Sequence, residues 1–227
     1  MPIPFQYPPR PHERQHGPRG YRTPESYRSW LRDEFAFRCV YCLRREQWDR
    51  SLSMEVEHFQ PTTQSPEQHL NYDNLLYACP RCNRAKGLQV VPSPERTFFE
   101  DNVEVQSDGT IVGHSPEART IIEKLRLNST TMVHFRRTWL EIIALSDRFD
   151  PELHKHLMRF PDDLPNVSSL RPPDGNTRPE GVTRSHFARR ERGRAARRVL
   201  KLRRRASSRA TFPNPNRFAA GGRPFKF

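Results

Sequence analysis

CVYC at residues 39–42, VEHFQP at 56–61 and NYDNLLYACPRCNRAKG at 71–87 are the three segments whose reading decides the fold. Cys39 and Cys42 are separated by two residues, as are Cys79 and Cys82. Two intervening residues let a chain turn so that both sulfurs face one ion, and four thiolates complete a tetrahedral structural zinc site. The two pairs lie 36 residues apart, more than a zinc ribbon needs, so a folded element is expected between them. A site closed by four sulfurs leaves no position for substrate, so its expected role is to tie the start of the module to its end.

Working outward, Met54 to Phe59 reads as a short strand, and a helix is expected to start near the second Cys pair. Upstream, Thr23-Pro24-Glu25 supplies an N-cap, a proline at the first helical position and an acid in the first turn. That helix is expected to run to about Phe35, with Tyr27, Trp30, Leu31 and Phe35 on one face. Downstream, Val103 to Gln106 and Thr110 to Val112 flank Ser107-Asp108-Gly109, a hairpin signature. Ser115-Pro116-Glu117 starts a helix carrying Ala118, Ile121, Ile122 and Leu125. A third helix after Asn128 places Met132, Phe135, Trp139, Ile142 and Ile143 at helical spacing, a stripe expected to pack on the central module.

The chain has 227 residues, 22 of them proline, and 34% are hydrophobic. That apolar share is low for a fully packed chain. The net charge of +13 is unevenly placed. Residues 21–160 hold 19 basic against 20 acidic residues, whereas residues 161–227 hold 17 against 5. Such a cationic tail attracts polyanions such as nucleic acid or anionic lipid. No apolar run approaches the roughly 20 residues of a membrane helix. Met1 to Tyr21 lacks a signal-peptide apolar stretch. Paired Cys without a secretion signal suggest metal binding in a reducing, cytoplasmic setting, with nucleoid association compatible with the charge. Four regions are expected: a disordered Pro/Arg-rich leader at 1–21, the central module at 22–92, a hairpin plus helical extension at 93–160, and a disordered Arg-rich tail at 161–227. The run from Arg184 to Arg205 is expected to become helical only against an anionic surface.

The three segments together resemble the HNH endonucleases. Their pattern is CxxC, an acid-His pair, Asn-Leu, then CxxC followed by His or Asn and a Lys three residues on. The resemblance covers about residues 35–90. Leu125-Arg126-Leu127-Asn128 is also similar to the extension of some stand-alone bacterial members. The resemblance implies an α+β fold, a small ββα-metal (His-Me finger) module with the four-Cys zinc site, helical extension and disordered termini. It also implies hydrolysis of DNA phosphodiester bonds to 5′-phosphate and 3′-hydroxyl ends. His58 is the expected general base, since neutral imidazole accepts a proton near pH 7. Glu57 and Asn83 are the expected ligands of a catalytic Mg²⁺ or Mn²⁺, both offering oxygen to a hard ion that stabilises charge on the phosphoryl and leaving oxygens. Asn83 falls in the first turn of a helix, where bound anions such as phosphate are favoured. Asn74 is expected to orient His58 and the hairpin loop, and Arg84 and Lys86 to contact backbone phosphate. The sequence departs from the family by having Asn83 where His is common and Glu57 where Asp is commoner. Both changes keep oxygen available and point to an altered metal preference. The other histidines, His12, His16, His69, His114, His134, His154, His156 and His186, read as ordinary surface or core residues. DNA is the expected partner, RNA is a further possibility, and protein partners are left open. The rival reading is a non-catalytic zinc module that binds nucleic acid and recruits a partner, with no use for Glu57, His58 or Asn83.

Overall fold

The computed structural model describes residues 4–49, 51 and 53–210, the side chains of 202–210 excepted. Helix α1 (Arg28–Glu34) follows a 3₁₀ turn at Pro24–Tyr27. Strands β1 (Glu55–His58) and β2 (Leu75–Ala78) come next, then α2 (Pro80–Lys86) and α3 (Pro94–Thr97). A second strand pair, β3 (Val103–Val105) and β4 (Ile111–Gly113), precedes α4 (Pro116–Lys124), α5 (Thr130–Phe149) and α6 (Pro151–Met158). The last helices are α7 (Glu180–Arg184) and α8 (His186–Ala210). The fold is thus mixed helix and small sheets, as the periodicities predict.

β1 and β2 form an antiparallel hairpin in which Glu57 lies opposite Leu76 and His58 opposite Leu75. All four residues of β2 are buried. Burying a leucine such as Leu75 or Leu76 stabilises by about 1.5–3 kcal/mol, which anchors the hairpin between α1 and α2. The second hairpin turns at Gly109, whose φ is +89°. A Cβ there would meet the Val133 carbonyl at 2.5 Å, so only glycine fits against α5.

α5 differs from the apolar stripe read in it. Met132 and Ile143 are buried, but Ile142 is 37% exposed. Arg136 is fully buried instead, donating to the carbonyls of Gly109 and Leu127 and to Asn128 Oδ1. A cation is accepted in the core because these oxygens replace its water. Trp139 stacks on Trp48 at 4.5 Å, docking α5 against the loop after the first Cys pair.

The 1–21 leader, expected to be disordered, is packed from residue 4 onward. Phe5 and Tyr7 are each only 3% exposed. Phe5 meets Trp48 edge-on at 5.1 Å, and Tyr7 OH donates to the Tyr41 carbonyl. Aromatic burial here outweighs the cost of ordering a proline-rich strand. The tail assignment at 161–227 also needs correction. Leu164 and Val167 are buried. Residues 175–178 strap across the leader, with Thr177 N donating to the Gly17 carbonyl at 2.9 Å and Arg178 reaching the His16 carbonyl and Asp73. Contacts divide the chain after Ala188, and the described part of the second unit is α8 up to Ala210. The segment read as helical only against an anionic surface lies, from His186 on, within this helix. Residues 211–227 of the tail lie outside the described residues. Among those described, no helix is long and apolar enough to cross a membrane.

The strap is fastened at Asp33. Its Oδ2 meets His16 Nε2 at 2.8 Å, and its Oδ1 accepts from His186 N at 2.8 Å. Burial pushes this carboxyl up, but the hydrogen bonds from His16 and His186 outweigh it and hold it well below the usual range. A depressed carboxyl contributes stability above its unfolded value of about 4, and that contribution is lost as pH falls through lower values. Between pH 5 and pH 3 the urea midpoint of the wild type should therefore drop more steeply than that of Asp33→Asn. Parallel curves would mean that Asp33 is not the linked group.

Candidate active site and metal cluster

The first Cys pair sits on a tight turn between Arg38 and Arg45, which form an isolated antiparallel bridge. Leu43 closes the turn at φ +58°, a left-handed conformation rare for leucine. The second pair straddles the start of α2, with Cys79 at the N-cap and Pro80 at the first helical position. Val40 N donates to the Tyr77 carbonyl at 2.9 Å, bringing the two turns together. All four Cys are buried and free of disulfides. Their sulfurs lie within 4.8 Å of one another, with Cys42 Sγ 3.7 Å from Cys79 Sγ. A tetrahedral ion with metal–sulfur bonds of about 2.3 Å requires sulfur spacings of about 3.8 Å. The cluster is therefore sized for a metal ion. The neighbouring thiols donate to Cys79 and hold it far below the usual thiol range. Burial pushes Cys39 up, and the other sulfurs push Cys82 up. Four sulfurs so arranged cannot all carry charge without a cation among them.

The turn at 39–42 also serves the neighbouring hairpin. Tyr41 OH donates to Glu57 Oε2 at 3.0 Å. The other oxygen of Glu57 is 2.5 Å from Lys86 Nζ, and Lys86 also donates to the His58 carbonyl at 2.8 Å. Glu57 and Lys86 are 2% and 1% exposed. Burial raises the Glu57 carboxyl above its usual range, while Lys86 and Tyr41 pull it back. Lys86 was expected to contact DNA phosphate. Its amine is instead enclosed and committed to Glu57, because the phase of α2 turns it toward β1.

Glu57 and Asn83, the expected ligand pair, have different neighbours. Asn83 Nδ2 donates to Glu55 Oε2 at 2.7 Å. Glu55 and Glu57 are two apart on β1 and share a face, and Asn83 and Lys86 are three apart on α2 and share a face. The two pairs therefore stack in register along the contact between strand and helix. Glu55 is the residue that sequence reasoning missed. The alternation of Glu55, Val56, Glu57 along the strand was the available signal. Three side-chain oxygen donors, from Glu55, Glu57 and Asn83, line this contact, a donor set suited to a hard divalent ion. Glu57 can contribute only if Lys86 moves off it.

His58 points to the opposite face of β1. Its Nε2 is 3.0 Å from the carbonyl of His69, and its ring stacks on that of His69 at 5.0 Å and 12°. A carbonyl only accepts, so Nε2 carries the proton and Nδ1 of the neutral ring is the basic nitrogen. Nδ1 has no hydrogen-bond partner among the described residues. Partial burial lowers the His58 pKa and the His69 ring adds to this, against the raising effect of the hydrogen bond that His58 donates to the His69 carbonyl. The neutral form is favoured accordingly. His69, read from sequence as ordinary, lines the site; nothing in its spacing marked it, because it arrives by loop geometry.

Asn74 holds that loop. Its Oδ1 accepts from Gln60 N at 2.7 Å, and its Nδ2 donates to the carbonyls of Gln60 and Gln68. The side chain thereby pins both the start of the loop and the residue before His69. Arg84 is exposed and lines an open groove with Arg81, Lys124 and Arg126.

Lys86→Met should leave Glu57 charged and buried without its partner, costing about 3–5 kcal/mol in denaturant unfolding. Adding Glu57→Gln in the same chain should recover most of that loss. A single variant as stable as the wild type would show that the buried pair is not an ion pair.

Residues 39–89 match the family model for the HNH endonuclease. The chain is also similar to the Septu protein PtuB of Bacillus thuringiensis, 31% identical over 106 residues. That alignment takes in 44% of this chain and 40% of the relative, so the chain spans well under half the length of the curated protein it matches.

Proposed function

From an HNH endonuclease domain at residues 39–89, we propose that this chain is a metal-dependent endonuclease that hydrolyses DNA phosphodiester bonds. The observation that carries the proposal is His58, tied through Nε2 to the His69 carbonyl and left with a basic Nδ1. A fixed imidazole with one open nitrogen can take a proton from a water molecule as that water attacks phosphorus. Asn74 acts on this step through the loop that presents the His69 carbonyl. Glu55, Glu57 and Asn83 would hold the catalytic divalent ion, Mg²⁺ or Mn²⁺, on the other side of β1. When bound there, that ion supplies charge stabilisation to the phosphoryl and leaving 3′ oxygens. Lys86 holds Glu57 in place and neutralises it in the ion-free protein. The four sulfurs of Cys39, Cys42, Cys79 and Cys82 would hold zinc, and through Tyr41 the cluster fixes the back of the Glu57 carboxylate. Arg84, on an exposed groove, would meet backbone phosphate. Four reduced cysteines fit a cytoplasmic setting.

Supercoiled plasmid incubated with zinc-loaded protein and Mg²⁺ or Mn²⁺ should become nicked or linear, with 5′-phosphate and 3′-hydroxyl ends. A zinc-loaded protein that leaves plasmid intact with every divalent ion would favour the rival reading, a zinc module without catalysis. Asn83→Ala and Glu55→Gln should each raise the Mn²⁺ concentration needed for half-maximal cleavage. Unchanged metal dependence in either variant would remove that residue from the ligand set.

A further inference from the structure

Helix α8 carries 11 basic residues and one acid between Arg189 and Ala210. That acid, Glu191, pairs with Arg194 at 3.0 Å and lies 3.7 Å from Arg190. Arg197, Arg198 and Lys201 are exposed, with no ion pair among the described residues. Arg190 and Arg194, Arg194 and Arg198, and Arg197 and Lys201 are each four apart, so like charges face one another along the helix surface. A helix loaded this way opposes its own formation, and a polyanion relieves the repulsion. We propose that α8 docks on the phosphate backbone of duplex DNA, with Arg194, Arg197, Arg198 and Lys201 forming the contact row.

Two features favour nucleic acid over a lipid surface. The exposed large apolar residues among the described side chains of α8 are Val199 and Leu200, adjacent in sequence rather than at the spacing of a stripe suited to an acyl layer. The 25-residue helix is about 37 Å long at about 1.5 Å per residue, a cylinder that a major groove admits, and at about 3.6 residues per turn Arg194, Arg197, Arg198 and Lys201 fall on one face of it. The contacts are to phosphate, so affinity without sequence preference is expected. The choice of DNA rests on the nuclease reading; the attraction to a polyanion does not.

The test uses the full chain with His58→Ala, so that no cleavage interferes, and a fluorescein-labelled 30-base-pair duplex in buffer without added divalent ions. Binding is followed by anisotropy from 50 to 200 mM salt. Neutralising Arg194, Arg197, Arg198 and Lys201 together to Gln keeps helix propensity and removes four phosphate contacts. Each contact contributes about 0.9 to the slope of log affinity against log salt, so this fourfold rise in salt should weaken the parent about a hundredfold more than the variant. Circular dichroism checks that α8 remains helical in the variant. Equal slopes overturn the proposal, and capture of phosphatidylserine vesicles alongside equal slopes assigns the helix to membranes. Inert plasmid with an altered slope would sink the nuclease reading and leave the docking role standing. Cleavage with an unaltered slope would do the reverse.

Discussion

Alanine at His58 is expected to slow plasmid cleavage by about 10²–10⁴-fold, the usual worth of a positioned general base. The imidazole sits half-exposed at the end of β1, and its Nε2 is already engaged by the His69 carbonyl. The remaining nitrogen, Nδ1, has no hydrogen-bond partner among the described residues and is open to accept a proton. Removing the ring costs little folding energy, because it gives up one stacking contact and one hydrogen bond at a partly solvated site. Rate and stability should therefore separate. First-order nicking rates at saturating Mn²⁺ measure the loss, and a thermal melt of the same sample should move by no more than a few degrees. A variant that cleaves within a few-fold of the wild type would mean that the water is activated elsewhere, and the assignment of His58 would fall.

The second large effect concerns the sulfur cluster. Cys42→Ser should abolish stoichiometric zinc and lower folding stability by several kcal/mol. Structural zinc in small modules carries an apparent binding free energy of about 10–16 kcal/mol, and that energy is folding energy because the site exists only in the folded chain. The loss here should be smaller. Tyr27, Trp30, Leu31, Leu75 and Leu76 are buried as well and add apolar burial that does not depend on the ion. The damage should nevertheless reach the hairpin. Tyr41 lies between Cys39 and Cys42 and donates to Glu57, so loosening the turn frees the buried carboxylate. Metal analysis and a denaturant titration on wild type and variant measure both parts. Zinc-loaded wild-type protein with the same unfolding midpoint as Cys42→Ser would refute the structural role of the cluster.

The Lys86 and Asp33 substitutions probe different links. One asks whether a buried ion pair stands where a ligand was expected. The other asks whether the segments at the two ends of the packed unit are fastened by one carboxylate. Neither feature was legible from spacing. Asp33 meets His186 from 153 positions away, and a proline-rich leader gives no periodic signal of the aromatic burial at Phe5 and Tyr7.

What the amino-acid order determined by itself is local. Two-residue gaps place sulfurs on turns, Ser115-Pro116-Glu117 starts a helix, and Asp108-Gly109 turns a hairpin, because each depends on backbone geometry within a few residues. The acid-His order on a strand likewise put Glu57 and His58 on opposite faces. What tertiary structure alone decided is which side chains meet. Glu55 rather than Glu57 faces Asn83, Lys86 turns inward to Glu57, and a loop carbonyl chooses the nitrogen that His58 leaves open. Those outcomes depend on the rotational phase of α2 against β1 and on how the loop from Phe59 to Asn74 closes. Packing across the molecule sets both, and no spacing along the chain encodes them.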